Sequence, residues 1–224
     1  MSNGKTGVLI HGFNLEAEGW KDVVWGTPPD AVGRLPKGVA VAVKQQAEVI
    51  VLSTGASKMD GKLEAEYTRD FLLEHFSELT QFSLFQEIDV QRIQPQIDKI
   101  LQIETLSKNT DQEITFALEI FKAADVTNVF LVSSPTHLPR CLRDACKVLS
   151  EDQRLSSFIQ NLYATPSQTP YHGTSARDVA IVEPPHRPDR PQTSLNRLVH
   201  RMLPGQDKQA FLEDLEDLLA RYEL

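Results

Sequence analysis

Apolar residues along this 224-residue chain fall into short unbroken runs and longer stripes with three- or four-residue spacing. Residues 8–11 (closed by Gly12), 48–52 (closed by Ser53-Thr54-Gly55) and 126–132 (closed by Ser133-Ser134) are rich in β-branched side chains and end in turn residues. This pattern predicts buried strands. Residues 162–165 and 179–182 read as two further short strands. Residues 33–47 place Leu35, Val39, Val43 and Ala47 four apart, which predicts a helix with Pro36 in its first turn. Leu63, Tyr67, Phe71 and Phe76 stripe a helix over 61–79. Ile114, Leu118 and Phe121 do the same over 110–124, and another helix follows at 139–149. Residues 80–104 show no clear period. Pro95 interrupts them, and 97–103 fits either a strand or a helix.

Strands alternating with helices of this length predict parallel βαβ units, and near-continuous apolar strands predict a sheet covered on both faces. The expectation is a single α/β domain over residues 1–192, Rossmann-like and doubly wound, with a mainly parallel sheet. The composition breaks most sharply at 184–191. A C-terminal helical extension is expected over 193–224. Its apolar face of Phe211, Leu215, Leu218, Leu219 and Tyr222 would be packed on the same domain, with an oligomer contact as the alternative.

The chain is 41% apolar and 24% charged, as in ordinary globular proteins, and its net charge is -8. That balance argues against a general nucleic-acid binder, while leaving room for a local cationic pocket. No apolar run approaches the roughly 20 residues that span a bilayer. The first apolar run stops at His11, so neither a membrane anchor nor a signal peptide is expected. Cys141 and Cys146 form no CxxC pair and read as reduced thiols, which fits the cytoplasm. A monomer or weak homo-oligomer is expected.

In an open α/β sheet, ligands sit beyond the carboxyl ends of the strands. Four clusters fall at or just after such ends: Gly12-Phe13-Asn14, Ser53-Thr54-Gly55, Ser107-Lys108-Asn109-Thr110 and Ser133 through Arg140. Each offers small or hydroxyl residues near a helix N-terminus, where free N–H groups and the helix dipole favour an anion. Helix capping explains several of them equally well: Ser134 as one cap, and Thr110 as another with Glu113 at the capping-box position. The loop 183–190 adds His186, Arg187 and Arg190 in an otherwise acidic chain. No GxGxxG, P-loop, GxSxG or HExxH occurs, and the second strand lacks the trailing acid of a standard ribose grip. The six histidines show no metal-ligand spacing, so no metal is expected. His11 reads as a packed or hydrogen-bonded histidine.

Together these clusters resemble the ElyC/SanA/YdcF family over roughly residues 7–183. The matching residues are Val8-Leu9-Ile10-His11-Gly12, Arg34, Leu52-Ser53-Thr54-Gly55, Glu64-Ala65, Glu104-x-x-Ser107-x-Asn109-Thr110 and Ser133-Ser134-x-x-His137-Leu138-Pro139-Arg140. Glu113 stands where the family often has Asn, and Ala56 where it often has a second Gly. The resemblance implies a Rossmann-like domain of the soluble branch, without the N-terminal span of its anchored relatives. It brings in S-adenosylmethionine as a cofactor to test.

The sequence therefore predicts an anionic small-molecule ligand, nucleotide-like or phosphorylated. Gly12, Asn14, Ser53, Thr54, Gly55, Ser107, Asn109, Thr110, Ser133 and Ser134 would hold it, and Arg34, Arg140 and Arg187 would neutralise its charge. If there is chemistry, of hydrolase or transferase type, His137 is the expected general acid or base and Glu64 its carboxylate partner. The alternatives are an S-adenosylmethionine-dependent transferase and a non-catalytic scaffold acting through its C-terminal helices.

Overall fold

The structure is a computed structural model that describes residues 4–174. The elements, in chain order, are β1 (Lys5–Ile10), α1 (Trp20–Val24), the hairpin β2 (Gly26–Thr27) with β3 (Ala31–Val32), α2 (Arg34–Gln45), β4 (Val49–Ser53), the hairpin β5 (Lys58–Met59) with β6 (Lys62–Leu63), α3 (Glu64–Glu74), α4 (Val90–Ile100), β7 (Leu101–Glu104), α5 (Thr110–Ala123), β8 (Val126–Ser133), α6 (Leu138–Glu151) and β9 (Leu162–Pro166). Short 3-10 turns at Phe76–Gln81, Ser83–Phe85 and Ser156–Asn161 fill the connections.

Five strands form one all-parallel sheet in the order β7-β4-β1-β8-β9. Counted along the chain, this is 3-2-1-4-5, the doubly wound Rossmann order, so the expected fold class holds. The strand order reverses between β1 and β8, and that switch point is where such sheets open a crevice for ligands.

Period-two alternation sorts the strand side chains to the two faces. Val8, Ile10, Ile50 and Leu52 pack with Leu35, Val39, Leu72, Ile93 and Ile97 on one side. Leu9, Val49, Val51, Val129 and Leu131 pack with Ile114, Leu118, Phe121, Cys141 and Leu149 on the other. Gly7 keeps β1 close to α5: a Cβ there would lie 2.6 Å from the Phe121 ring.

The stretch 80–104 resolves into helix followed directly by strand. Asp89 caps α4 by accepting from the Arg92 amide at 3.1 Å, and α4 runs into β7 without a loop. Pro95 sits inside α4. Pro95 and Gln91, whose carbonyl its missing N–H would have bonded, are both exposed, so water can take up the carbonyl. Among the described residues no helix is long and apolar enough to cross a membrane. The expected strand at 179–182, the loop carrying Arg187 and the helical extension lie outside the described residues.

Candidate functional site

The turn after β1 is the centre of the site. His11 and Gly12 leave the strand at the switch point, and the His11 amide donates to the Val132 carbonyl of β8 at 3.0 Å. Glu113, from the first turn of α5, reaches under this turn. One carboxylate oxygen meets His11 Nδ1 at 2.8 Å, while the other accepts from the Gly12 amide at 2.9 Å and from Ser53 Oγ. Both side chains are almost fully buried. Burial alone would push the His11 pKa down, but Cys141 and the Glu113 carboxylate outweigh it and hold His11 well above its usual value. Burial would likewise raise Glu113, and His11 outweighs that, holding the carboxyl well below the carboxylate range. Both directions favour the ion-paired form, in which both imidazole nitrogens carry protons.

Arg34, at the start of α2, is fully buried beside this pair. Its Nε donates to Ser134 Oγ at 2.9 Å, and its Nη1 donates to the carbonyls of His11, at 3.0 Å, and Gly12. The rings of Phe13 and Tyr171, stacked at 4.9 Å, lie over its guanidinium at 5.3 and 5.6 Å. Cation–π contact and removal from water both favour a fixed orientation for this charge.

Glu64 opens α3 on the opposite side of Gly12. Its Oε2 accepts from Ser57 Oγ, whereas its Oε1 faces Gly12 so closely that a Cβ there would lie 2.2 Å away. Burial pushes the Glu64 pKa up to about 7. Ser57 and Arg34 pull it back in part, and the nearby Glu113 charge adds to the rise.

Among the described residues, three buried side-chain atoms lack a hydrogen-bond partner: His11 Nε2, Arg34 Nη2 and Glu64 Oε1. All three belong to residues that close on the Gly12 turn. An unpaired buried polar group typically costs about 1–3 kcal/mol, more when charged, and three of them gather around this one turn. Four helices of 11 to 14 residues, α2, α3, α5 and α6, begin at this edge of the sheet. Their N-terminal dipoles add to the positive potential.

His137 is close by but differs from expectation. Its Nδ1 shares hydrogen bonds with Ser133 Oγ at 3.0 Å and Cys141 Sγ at 3.5 Å, and Glu64 is not among its partners. Burial first, then the Arg34 and His11 charges, push its pKa down to about 2. This direction favours the neutral imidazole for His137. The carboxylate–imidazole pair in this site is Glu113 with His11. The alternative of a Thr110 cap with Glu113 in a capping box does not hold. Asn109 is the actual cap of α5, accepting from the Gln112 amide at 2.9 Å, and Thr110 is the first helical residue. Shifting the cap by one residue turns Glu113 inward. An acid four residues from Ala117 and eight from Phe121, on the buried stripe of α5, was the sequence signal for an internal partner.

Other expected site residues serve the frame. Thr54 holds a φ of 118°, unusual for a β-branched residue. It is fixed there by its amide on the Glu104 carbonyl and its hydroxyl on the Ser107 carbonyl, both at 3.0 Å. Gly55 permits close approach of two loops, since a Cβ there would lie 1.9 Å from the Thr105 carbonyl oxygen. Ser107 donates to Glu104, and Asn14 is exposed, with Oδ1 accepting from the Glu16 amide. Thr110 accepts from Arg140 Nη2 at 2.7 Å. These two and Asn109 line a separate open cavity of about 490 Å³ with Lys147. The expected single pocket is thus two places, a buried cluster and an outer rim. Arg187 lies outside the described residues. Among the described residues no group of three or more His, Cys, Asp or Glu could hold a metal ion.

No family model, curated protein or solved structure matches this chain.

Proposed function

We propose that this protein binds a small anionic molecule, phosphorylated or nucleotide-like, at the carboxyl edge of its sheet, and that the Gly12 turn is the anion subsite. The observation that carries this reading is that His11 Nε2, Arg34 Nη2 and Glu64 Oε1, on three residues around the Gly12 turn, are all buried and unpartnered. Two of them are donors on cations. The fixed carbonyls and Glu113 already occupy the other faces of these cations, so a ligand oxyanion is the partner left to find. Membership in the ElyC/SanA/YdcF family is part of the reading. Seven residues quoted for that resemblance, Gly12, Arg34, Ser53, Glu64, Ser133, Ser134 and His137, meet around this turn. A cytoplasmic setting is also part of it, in line with the free thiols Cys141 and Cys146.

If the protein is an enzyme, Glu64 is the proton-transfer group that fits hydrolase or transferase chemistry, because its pKa of about 7 lets it both donate and accept near neutrality. S-adenosylmethionine fits less well: a sulfonium cation gains nothing from an unpaired arginine and imidazolium, and β4 ends in Ser53 rather than an acid.

Thermal stabilisation by a ligand panel tests the reading. Inorganic phosphate, nucleotides, sugar nucleotides, phosphosugars and S-adenosylmethionine are compared on the native protein, Arg34→Lys and Arg140→Ala. A ligand at 100 times its dissociation constant adds about 2.7 kcal/mol of stability. The expected result is stabilisation by a phosphorylated ligand that is lost in Arg34→Lys and kept in Arg140→Ala. Stabilisation by S-adenosylmethionine alone would move the reading to the transferase. No stabilisation by any of them would overturn the small-molecule reading in favour of a scaffold.

A further inference from the structure

The three unpartnered atoms differ in kind, and the difference constrains the ligand. Arg34 Nη2 can only donate, and so can His11 Nε2 when His11 is ion-paired with Glu113. Glu64 Oε1 is a carboxyl oxygen, which accepts when ionised and can donate only when protonated. A fully ionised anion that filled the two donor positions would bring an unprotonated oxygen against this carboxylate. We infer that this subsite, given the anion-binding role proposed above, selects a tetrahedral oxyanion that carries its own proton, a phosphate rather than a sulfate, with Glu64 accepting the hydrogen bond from the ligand's hydroxyl.

The groups that face Glu64 leave it that role. Arg34, from α2, attracts the ionised carboxyl. Glu113, from α5, repels it and is itself bound to His11. Ser57, ahead of α3, donates to Oε2, and the Phe13 backbone, after β1, favours the ionised carboxyl. Oε1 is the oxygen left over, and Glu64 as a whole is 2% exposed, so water does not substitute for a ligand partner at low cost. Hydrogen phosphate keeps one proton throughout the neutral and mildly alkaline range, whereas sulfate has none. Sulfate can enter only after Glu64 takes a proton from solvent. Bringing like charges together in a buried site is unfavourable, so the discrimination is expected to be at least about tenfold.

Isothermal titration of the full chain with inorganic phosphate and with sulfate, at pH 8 and matched ionic strength, tests this directly. Phosphate is expected to bind at least about tenfold tighter than sulfate. Sulfate binding should strengthen as the pH is lowered to 6, as Glu64 becomes protonated. In Glu64→Gln the ratio should collapse towards one, because a neutral amide can donate to either ion. A thermal melt checks that this variant is folded, and the comparison on the native protein stands without it. Equal binding of the two ions to the native protein would overturn the selection by Glu64 while leaving the anion subsite in place. Binding of neither ion would remove the anion subsite itself, and this inference with it.

Discussion

Two groups of charges stand near the carboxyl edge of the sheet, and they are arranged in opposite ways. At the outer rim the exposed side chains of Arg140, Arg143 and Lys147 each have a carboxylate beside them. Arg143 meets Asp144 at 2.6 Å, Lys147 meets Asp111 at 2.7 Å and Arg140 approaches Asp144 at 4.0 Å. In the buried cluster Arg34 is surrounded by a hydroxyl, carbonyls and aromatic rings and keeps one donor unused, and His11 keeps another. Exposed pairs exchange partners with water at little cost, whereas a buried donor without a partner is maintained at a cost by the fold around it. The chemical potential of the site therefore lies in the residues that the surface conceals, and a count of accessible cations overlooks it.

The contrast can be broken most forcefully at Glu113. Glu113→Ala leaves the His11 charge buried and uncompensated, and a loss of about 3–5 kcal/mol is expected in chemical denaturation. A loss below about 1 kcal/mol, as for a surface pair, would show that the two regions do not differ in kind.

Arg34→Lys comes next. Lysine cannot reproduce the guanidinium fork, and replacing charge-assisted hydrogen bonds worth about 1.5–3 kcal/mol should weaken phosphate binding roughly ten- to hundredfold by titration.

The pH dependence of stability sharpens the comparison further. His137, held at about 2 when folded, is less readily protonated than in the unfolded chain, so its contribution is lost as pH falls below 6.5. Glu64, raised to about 7, binds its proton more readily when folded, so its contribution is lost as pH rises from 4.5 through 7. Between 4.5 and 6.5 the two oppose each other. The denaturation midpoint of the native protein should be nearly flat there, and Glu64→Gln should slope downward with falling pH. The same slope in both proteins would contradict the assignment.

Arg140→Ala and Lys147→Ala should have the smallest effect, about 0–1 kcal/mol in stability, with phosphate affinity nearly unchanged. An effect of Arg140→Ala equal to that of Arg34→Lys would place the ligand at the rim.

Much of the fold was legible because its strands are buried on both faces. The runs at β1 and β4 contain almost nothing polar to confuse the period, β8 carries only Thr127 and Asn128 near its start, and turn residues close each of them. β7 was not legible. It follows α4 without a loop, so Ile97, Ile100, Leu101 and Ile103 form one apolar series across the change from helix to strand, and Pro95 suggested a break where the helix continues. In the site, the Ser133–His137 segment was visible as polar residues after a strand end, whereas Arg34 and Glu64 came in through the family resemblance. Local sequence could not show which of them lacked partners. Satisfaction of Ser107 by Glu104, or of Asn14 by its own turn, depends on hydrogen bonds seen only after folding. His11 and Glu113 were separated by 102 positions, and each alone had an ordinary explanation.

The sheet order also bears on how the chain acquires its shape. β1, the central strand, precedes both of its neighbours, and its partner β8 pairs Lys5 with Val126. At ordinary synthesis rates of about 5–20 residues per second, β1 waits roughly 6–24 seconds before its second edge is covered. Until then, an apolar strand with open hydrogen-bonding groups is available to any passing edge. A nascent chain stalled before residue 126 is thus expected to be a substrate for chaperones. The buried cluster around Gly12, which draws on residues from both sides of that strand, forms only when the last of them has arrived.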